Sequence, residues 1–343
     1  MKILLGLSGG LDSTYSAELL RRDGHEVICA CLYFGEHTDI APAKRSAEEL
    51  GLPFTVIDCS DDFERYVMTD FIERYAEGRT PNPCTVCNRY VKIESLYRKS
   101  IELGCDAFAT GHYADVARDP ESGRYFVQRA GDLKKDQSYM LWKLAQNQLS
   151  RFVTPLARLS KSVIRERAAK IGLEAAASKE SQDICFIPRG ESYISIVESR
   201  LGKPLPGNYT DRDGNIIGRH GGIINYTVGQ RKGLGASFGK HMFVTAIDPV
   251  TRNITLCPEE DTYARAITVG DLNFQKMAMP VGATLDVKIR YAAKPVAARV
   301  TFEEGRALAE FEELVRTPAP GQSAVFYDGD DLAFGGTIDG VIY

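Results

Sequence analysis

Three cysteines in loop-like segments of the chain could carry sulfur or metal chemistry. Cys84 and Cys87 form a Cys-x-x-Cys pair in the polar segment 78–88, and Cys185 lies in the polar segment 178–186. We predict that the pair lies just before a helix, where a thiol has a lowered pKa and forms more thiolate. Structural zinc is the alternative for the pair, although zinc usually takes four ligands and the sequence has no second Cys-x-x-Cys and no His-x₃₋₅-His.

A glycine-rich loop follows the first apolar run. Residues 6–14 read Gly-Leu-Ser-Gly-Gly-Leu-Asp-Ser-Thr and open the first predicted helix. Glycines let a phosphate approach the backbone, the N–H groups of a helix N-terminus favour an anion, and Ser8 and Ser13 add hydroxyl donors. The loop lacks the lysine of a Walker A sequence and the spacing of a dinucleotide fingerprint. The sequence therefore predicts a phosphate site of another type, with an ordinary glycine-rich turn as the alternative.

Strands and helices alternate through the first half of the chain and would position these residues. The apolar runs that predict strands are 2–7, 27–34, 54–57 and 107–110. This alternation predicts a parallel sheet covered on both faces. From residue 262 onward, short alternating segments predict a β-barrel or sandwich. We place the domains at 1–197, 198–261 and 262–343.

Composition and charge argue against several classes of protein. The chain has 343 residues and a net charge of −4, which argues against an indiscriminate polyanion binder but allows a local basic face for RNA. No run approaches the roughly 20 apolar residues of a membrane helix, and the N-terminus is typical of a buried strand rather than a signal peptide. We therefore expect a cytoplasmic protein with no membrane partner.

The sequence also predicts which cysteines are buried in the core and which basic residues could contact RNA. Eight cysteines in such a chain are not a disulfide framework, and five are expected in the core: Cys29, Cys31, Cys59, Cys105 and Cys257. The basic residues that could form an RNA face are Arg79, Arg89, Lys92, Lys134, Lys135, those of 151–170, Arg231 and Lys232.

Ordered motifs along nearly the whole chain resemble those of the bacterial tRNA-specific 2-thiouridylase family, which thiolates uridine 34 of the anticodon. The matching blocks are 6–13, 78–83, 87–88, 109–114, 135–139, 178–186, 226–234, 290–291 and 320–322. The resemblance implies an α/β fold in three parts: a parallel-sheet N-type ATP pyrophosphatase domain, a small central domain and a C-terminal β-barrel. It also implies ATP-dependent adenylation of O2 of the uridine, followed by sulfur transfer.

The same resemblance implies roles for individual residues. ATP with Mg²⁺ would be held by Gly6, Leu7, Ser8, Gly9, Gly10, Leu11, Asp12, Ser13, Leu32 and Gly111, and Asp12 would also be catalytic. The target base would lie against Asn82, Pro83 and Cys84. The tRNA would contact His112, Lys135, Asp136, Gln137, Arg290, Tyr291 and Gln322. Cys87 would be the catalytic cysteine, and Cys185 would carry sulfur as a persulfide.

Two departures from the family pattern keep alternatives open. Cys84 stands where the family usually has Asp, and the segment 35–50 is shorter than usual. The three thiols of Cys84, Cys87 and Cys185 could instead hold a 4Fe–4S cluster whose free iron binds sulfide. We expect a monomer that acts on the tRNA anticodon stem-loop and takes sulfur from a donor protein or from sulfide.

Four other functions remain open from the sequence. The chain could be another adenylating ligase of the ATP pyrophosphatase superfamily, or it could thiolate a different tRNA position. It could also be an RNA-binding or sulfur-carrier protein that has lost catalysis, or a redox protein. The intact Ser8, Asp12 and Ser13 argue against a loss of catalysis.

Overall fold

The computed structural model of the chain describes residues 1–177, 184–188, 190–235, 238–276 and 282–343. The part of the predicted sulfur-carrying segment at 178–183 lies outside these residues. None of the described helices is both long enough and apolar enough to span a lipid bilayer.

Seventeen strands are described. In chain order they are β1 (Lys2–Gly6), β2 (Glu26–Tyr33), β3 (Phe54–Asp58), β4 (Ala107–Ala109), β5 (Asp115–Arg118), β6 (Tyr125–Gln128), β7 (Phe152–Val153), β8 (Gly207–Thr210), β9 (Ile216–His220), β10 (Met242–Asp248), β11 (Asn253–Pro258), β12 (Tyr263–Phe274), β13 (Thr284–Lys288), β14 (Val296–Glu303), β15 (Arg306–Arg316), β16 (Ser323–Asp328) and β17 (Asp331–Ile342).

The described α-helices lie before and within the central region. They are α1 (Leu11–Arg22), α2 (Ala41–Leu50), α3 (Ser60–Asp62), α4 (Thr69–Ala76), α5 (Pro83–Cys87), α6 (Ile93–Glu102), α7 (Gln146–Leu149), α8 (Lys161–Lys170) and α9 (Tyr193–Leu201). Two π-helical turns, Phe63–Met68 and Asn88–Lys92, join α3 to α4 and α5 to α6.

A five-stranded parallel sheet, in the order β3-β2-β1-β4-β7, forms the centre of the first domain. Successive residues of β1 face opposite sides: Ile3 and Leu5 pack with α1 and α2, and Leu4 packs with α6. Both faces are therefore covered, which explains why these strands are continuous apolar runs. The predicted doubly covered parallel sheet is confirmed.

The C-terminal strands close into a six-stranded barrel, as the resemblance implied. The order is β12-β15-β14-β13-β16-β17, and β12 also pairs with β17. Between the two domains, β10-β11-β8-β9 form a separate four-stranded sheet. α9 crosses the boundary that we placed at residue 197, so the domain limits stay a prediction.

One connection between the first domain and the barrel was not expected from the sequence. The antiparallel hairpin β5–β6 belongs to the first half of the chain, yet Gln128 of β6 pairs with Asp331 of β17. The hairpin thereby extends the barrel sheet. This places residues of the phosphate-loop domain next to the strands β16 and β17.

Candidate functional site

The phosphate loop runs from the end of β1 to the start of α1, at the carboxyl edge of the parallel sheet. The Ser8 amide donates to Ser13 Oγ at 3.1 Å, the two hydroxyls lie 3.0 Å apart, and Ser13 Oγ lies 3.1 Å from the carbonyl oxygen of Gly10. These bonds hold both hydroxyls at the opening of α1, where the helix N-terminus favours an anion.

Two glycines are required by close packing around this loop. Gly9 has a φ of +77°, and a Cβ there would lie 2.4 Å from the carbonyl carbon of Pro42. A Cβ on Gly111 would lie 2.9 Å from the backbone of Asp12 and Ser13. The segment after β4 is therefore pressed directly against the loop, which brings Gly111 and His112 to the same site.

A cavity of about 450 Å³ opens over the loop, within the range of ligand pockets in proteins. Ten of the predicted site residues line it: Gly6, Leu7, Ser8, Asp12, Ser13, Leu32, Gly111, His112, Gln137 and Cys185. Leu11 points into an apolar cluster instead and is buried. The cavity thus joins the predicted ATP residues to one of the three loop cysteines.

Asp12 is held by a lysine from a distant helix. Lys161 Nζ, at the start of α8, lies 2.6 and 2.7 Å from the two carboxylate oxygens of Asp12. The Tyr113 hydroxyl donates to the same carboxylate at 2.6 Å. The loop sequence contains no lysine, but Lys161 places an ammonium group beside the loop in the folded chain. The sequence offered only a basic stretch as a signal for Lys161, and the spacing of its residues could not have identified it.

A carboxylate on the cavity wall fits a magnesium nucleotide, because Mg²⁺ usually takes one or two carboxylates together with phosphate oxygens. Asp39 lines the cavity, whereas both carboxylate oxygens of Asp12 are bonded to Lys161.

Cys84 and Cys87 lie within a helix, not before one. Both belong to α5, with Cys84 exposed and Cys87 buried at the helix end. Burial raises the pKa of the Cys87 thiol to about 12, and the nearby Lys92 opposes this increase. Desolvation raises the pKa of the Cys84 thiol too. The predicted lowering of the pKa is therefore wrong for both cysteines, because desolvation of the thiolate outweighs the favourable charge.

The three loop cysteines do not form a metal site in the described structure. Among the described residues, which include Cys84, Cys87 and Cys185, no group of three or more His, Cys, Asp or Glu side chains could hold a metal ion. A 4Fe–4S cluster needs its cysteines close together around the iron atoms. The described arrangement therefore gives no support to the cluster alternative or to the structural zinc alternative. The other five cysteines are buried, as expected.

The predicted tRNA residues near the cavity are in different environments. His112 Nδ1 lies 2.6 Å from Thr110 Oγ1, and burial together with Lys92 lowers the pKa of His112 to about 3. The Asp136 carboxylate is buried and accepts bonds from Ala130 and Ser138. It is therefore engaged inside its own loop, whereas Lys135 is half-buried and Gln137 lines the cavity.

Gln322, a predicted tRNA contact on the barrel, lies against the segment 78–83, which precedes Cys84. Gln322 Nε2 donates to the carbonyl oxygens of Thr80 at 3.2 Å and Pro81 at 2.9 Å. Asn82 Nδ2 donates to Ser323 Oγ at 3.4 Å, and the Thr80 amide donates to Pro320 O at 2.8 Å. Strand β16 and the turn before it thus hold the segment that precedes α5.

Arg290 and Tyr291 follow β13 on the barrel. Arg290 donates to the carbonyl oxygen of Thr317 and lines a second cavity, of about 490 Å³. Tyr291 is 40% exposed, and Lys288 Nζ lies 5.6 Å from the centre of its ring.

Three basic residues assigned to the RNA face are engaged elsewhere. Arg79 pairs with Asp339 at 3.3 Å, Arg89 pairs with Glu94 at 3.6 Å, and Lys92 lines the main cavity. Their contact with RNA therefore stays a prediction. Exposed basic side chains remain elsewhere, at Lys134, Arg165, Arg167, Lys170, Arg231 and Lys232.

Comparison with known proteins gives consistent matches along the chain. Residues 1–189 match the family described as tRNA methyl transferase HUP domain, residues 195–258 match its PRC-barrel domain, and residues 264–338 match an aminomethyltransferase beta-barrel domain. Among solved structures, a 4-thiouridine synthetase in complex with RNA and ATP is similar, with a TM-score of 0.36, 17% identity, and coverage of 58% of this chain and 50% of that one.

Curated relatives align over nearly their full length. The tRNA-specific 2-thiouridylase MnmA of Clostridium perfringens is 38% identical, over 99% of both chains. That of Acetivibrio thermocellus is 39% identical, over 98% of this chain and 99% of the relative. The resemblance seen in the sequence is thereby confirmed: the chain belongs to the tRNA-specific 2-thiouridylase family.

Proposed function

We propose that this protein is a tRNA-uridine 2-sulfurtransferase that uses ATP to form 2-thiouridine at position 34 of the anticodon. The observation that carries the proposal is the single cavity lined by both the phosphate loop and Cys185. An adenylating site and a sulfur-carrying thiol in one cavity suit a reaction that activates an oxygen and then replaces it with sulfur. The full-length relatives named as 2-thiouridylases support the same reaction.

Adenylation is needed because O2 of uracil is a poor leaving group. In our proposal the Ser8 and Ser13 hydroxyls and the α1 N-terminus hold the phosphates of ATP, which enters with Mg²⁺. The uridine O2 attacks the α-phosphorus, pyrophosphate leaves, and O2 becomes part of a good leaving group, AMP. This step is mostly positioning and charge neutralisation.

Sulfur transfer follows from a persulfide on Cys185. The terminal sulfur attacks C2, and AMP departs with O2. The Cys87 thiolate, whose proton passes to solvent, then attacks the Cys185 sulfur. The bond between Cys185 and the transferred sulfur breaks with its electron pair staying on the transferred sulfur. The products are 2-thiouridine and a Cys87–Cys185 disulfide, which an external thiol reductant converts back to two thiols. The Cys185 thiolate then takes the outer sulfur from a persulfide on a donor protein, which keeps its own cysteine as a thiol.

The target base must leave the anticodon stack to reach the cavity, which a single-stranded loop allows at low cost. We propose that Asn82, Pro83 and Cys84 border the entering base. The exposed basic residues of α8 and of 231–232 would hold the phosphate backbone, and Tyr291 would stack on a base. We further propose that the enzyme acts as a monomer in the cytoplasm.

Mass spectrometry of tRNA nucleosides from cells with and without the gene tests the reaction. We expect 2-thiouridine derivatives to disappear on deletion and to return with the wild-type gene but not with Cys87→Ala or Cys185→Ala. Unchanged 2-thiouridine on deletion would contradict the proposal. Loss of a different thionucleoside would show that another tRNA position is the target.

Cys84→Asp separates the sulfur routes. In the persulfide route Cys84 has no covalent role, so we expect Cys84→Asp to keep thiolation within about threefold, in iron-free protein purified aerobically. Loss of activity in this variant, together with iron in the anaerobically purified wild type, would favour the cluster alternative.

Pyrophosphate release separates the proposed reaction from that of another adenylating ligase. We expect release to depend on tRNA. Equal release without tRNA would favour a ligase that adenylates a small molecule.

A further inference from the structure

Lys92 lies where the sulfur chemistry would occur, although nothing in the sequence distinguished it from a surface lysine. It is the last residue of the π-helical turn Asn88–Lys92, which directly follows α5. A π-helical turn bonds residue i to residue i+5, so Lys92 follows Cys87 by one such turn. In a regular α-helix, residues five apart would point in clearly different directions. The π turn therefore brings the ammonium toward the side of the helix that carries Cys87.

The surroundings of Lys92 contain thiols instead of carboxylates. Among the residues that the structure describes, Lys92 forms no ion pair with Asp or Glu. The groups that act on its charge are Cys84, Cys87 and Cys185. Lys92 also contributes to the lowered pKa of His112. His112 is therefore uncharged near neutral pH and adds no second positive charge beside Lys92.

Lys92 lines the same cavity as Cys185 and the phosphate loop. A cation without a carboxylate partner in a partly desolvated cavity interacts strongly with any anion that forms there. The anions of the proposed sulfur step are the Cys87 thiolate and the persulfide on Cys185. Cys87 most needs such support, since burial raises its pKa to about 12 and only the thiolate is a good nucleophile.

We propose that Lys92 is the residue that stabilises the thiolate and persulfide anions of Cys87 and Cys185 during sulfur transfer. The inference rests on the proposed function and adds a role to it. Lys92 keeps its proton throughout. Cys87 loses its proton to solvent, its thiolate attacks the Cys185 sulfur, and the electron pair of the broken bond goes to the transferred sulfur. The fixed cation therefore raises the fraction of Cys87 that is present as thiolate, which is the form that attacks.

Other titratable groups around the pair must be considered in a pH experiment. Cys87 is faced by Lys92, Cys84, Cys185 and Cys59, which come from four different segments. The three cysteines raise the pKa of Cys87 and Lys92 lowers it. Removal of the lysine charge is therefore expected to shift the titration of Cys87 upward.

The experiment measures iodoacetamide alkylation of Cys87 and Cys185 against pH, by mass spectrometry of the full-length protein. The variants are Lys92→Met, Lys92→Gln and Lys92→Arg, with Lys99→Met as the matched control. Lys99 lies in α6 and pairs with Glu102 on the outside. We expect Lys92→Met and Lys92→Gln to slow alkylation of Cys87 at pH 8 by about tenfold, equivalent to one unit of pKa. Lys92→Arg should restore most of the rate, and Lys99→Met should leave it unchanged.

An unchanged pH profile in a folded Lys92→Met or Lys92→Gln protein would overturn the inference. The Gln variant is included because it keeps a polar head in the cavity if the Met variant fails to fold. Alkylation needs neither ATP nor tRNA, so this result is independent of whether uridine 34 is the substrate. In the complete reaction we expect single-turnover thiolation from preloaded persulfide to fall about tenfold in Lys92→Gln.

Discussion

Asp12 brings a negative charge to a loop that must bind phosphates, and Lys161 neutralises it. A carboxylate left alone beside a nucleotide would repel it, by an amount that grows as water is excluded. The bonds of 2.6 and 2.7 Å from Lys161 and the bond from Tyr113 fix this carboxylate in orientation as well as in charge. Lys161, which is distant in sequence, thus offsets the charge of Asp12 at the loop.

We expect Lys161→Met to raise the KM for ATP in AMP formation about tenfold, because breaking an ion pair leaves an uncompensated charge. Lys44→Met, which removes an exposed lysine paired with Glu48 on α2, is the control and should change the KM little. The double variant Asp12→Asn with Lys161→Met should show less than additive loss. Additive losses would mean that Lys161 does not act through Asp12.

Burial of His112 determines how the stability of the folded protein should depend on pH. Its pKa in the folded protein is about 3, against about 6.5 in an unfolded chain. The folded state therefore binds fewer protons, and stability is lost as the pH falls from about 6.5 toward 3. We expect urea unfolding of the wild type to show this loss between pH 7 and pH 4.5, and His112→Gln to show less of it. Parallel curves for the two proteins would show that the pKa of His112 is not lowered in the folded protein.

At the scale of elements, the segment before α5 is held by the barrel and not by its own domain alone. Gln322 donates to Thr80 and Pro81, and Arg79 pairs with Asp339 of β17. A loop held at several backbone carbonyls keeps α5, and therefore Cys87, in one place. The barrel thus has a positioning role besides any contact with tRNA.

We expect Gln322→Ala to increase hydrogen exchange at 78–83 and to reduce thiolation by about tenfold, with AMP formation affected less. The physical cause is the loss of two hydrogen bonds, each contributing about 1 kcal/mol. Gln322→Asn is a close control, because its shorter amide cannot reach both carbonyls and should behave like Ala. A fall in tRNA affinity with unchanged exchange at 78–83 would instead support Gln322 as a direct tRNA contact.

The elements could be predicted from the sequence better than their contacts could. The strands β1 and β4 and the loop before α1 follow from local apolar runs and glycine spacing, which the chain encodes over a few residues. The pairing of β6 with β17 joins residues 203 positions apart, and no local pattern specifies it. The roles of Lys161 and Lys92 in the site could not be predicted for the same reason, because their partners are brought to them by tertiary packing. The pKa of Cys87 was predicted in the wrong direction because the burial of its thiol also depends on tertiary packing.

At the scale of the whole molecule, the first domain and the barrel share a core. Trp142 is 0% exposed, its Nε1 donates to Ser323 Oγ at 2.9 Å, and the Tyr139 hydroxyl donates to Ser323 O at 2.9 Å. The barrel residues Val325, Tyr327 and Leu332 belong to the same apolar cluster as Trp142. Because this contact between the two domains excludes water, we infer that the domains stabilise each other. We also infer that the contact fixes the distance between the phosphate loop and the segment 78–88, which holds Cys84 and Cys87.

Gly335 of β17 tests this shared core. A Cβ there would lie 2.7 Å from the indole ring of Trp142, so Gly335→Ala must displace the ring or the strand. We expect a loss of about 1–3 kcal/mol in the free energy of unfolding, as for other overpacked cores, and a lower thiolation rate because β16 and the segment 78–83 shift together. Gly221→Ala is the control, since a Cβ there would meet only Asn225 Nδ2 at 3.9 Å. A Gly335→Ala protein with unchanged unfolding and unchanged thiolation would show that the two domains do not depend on this contact.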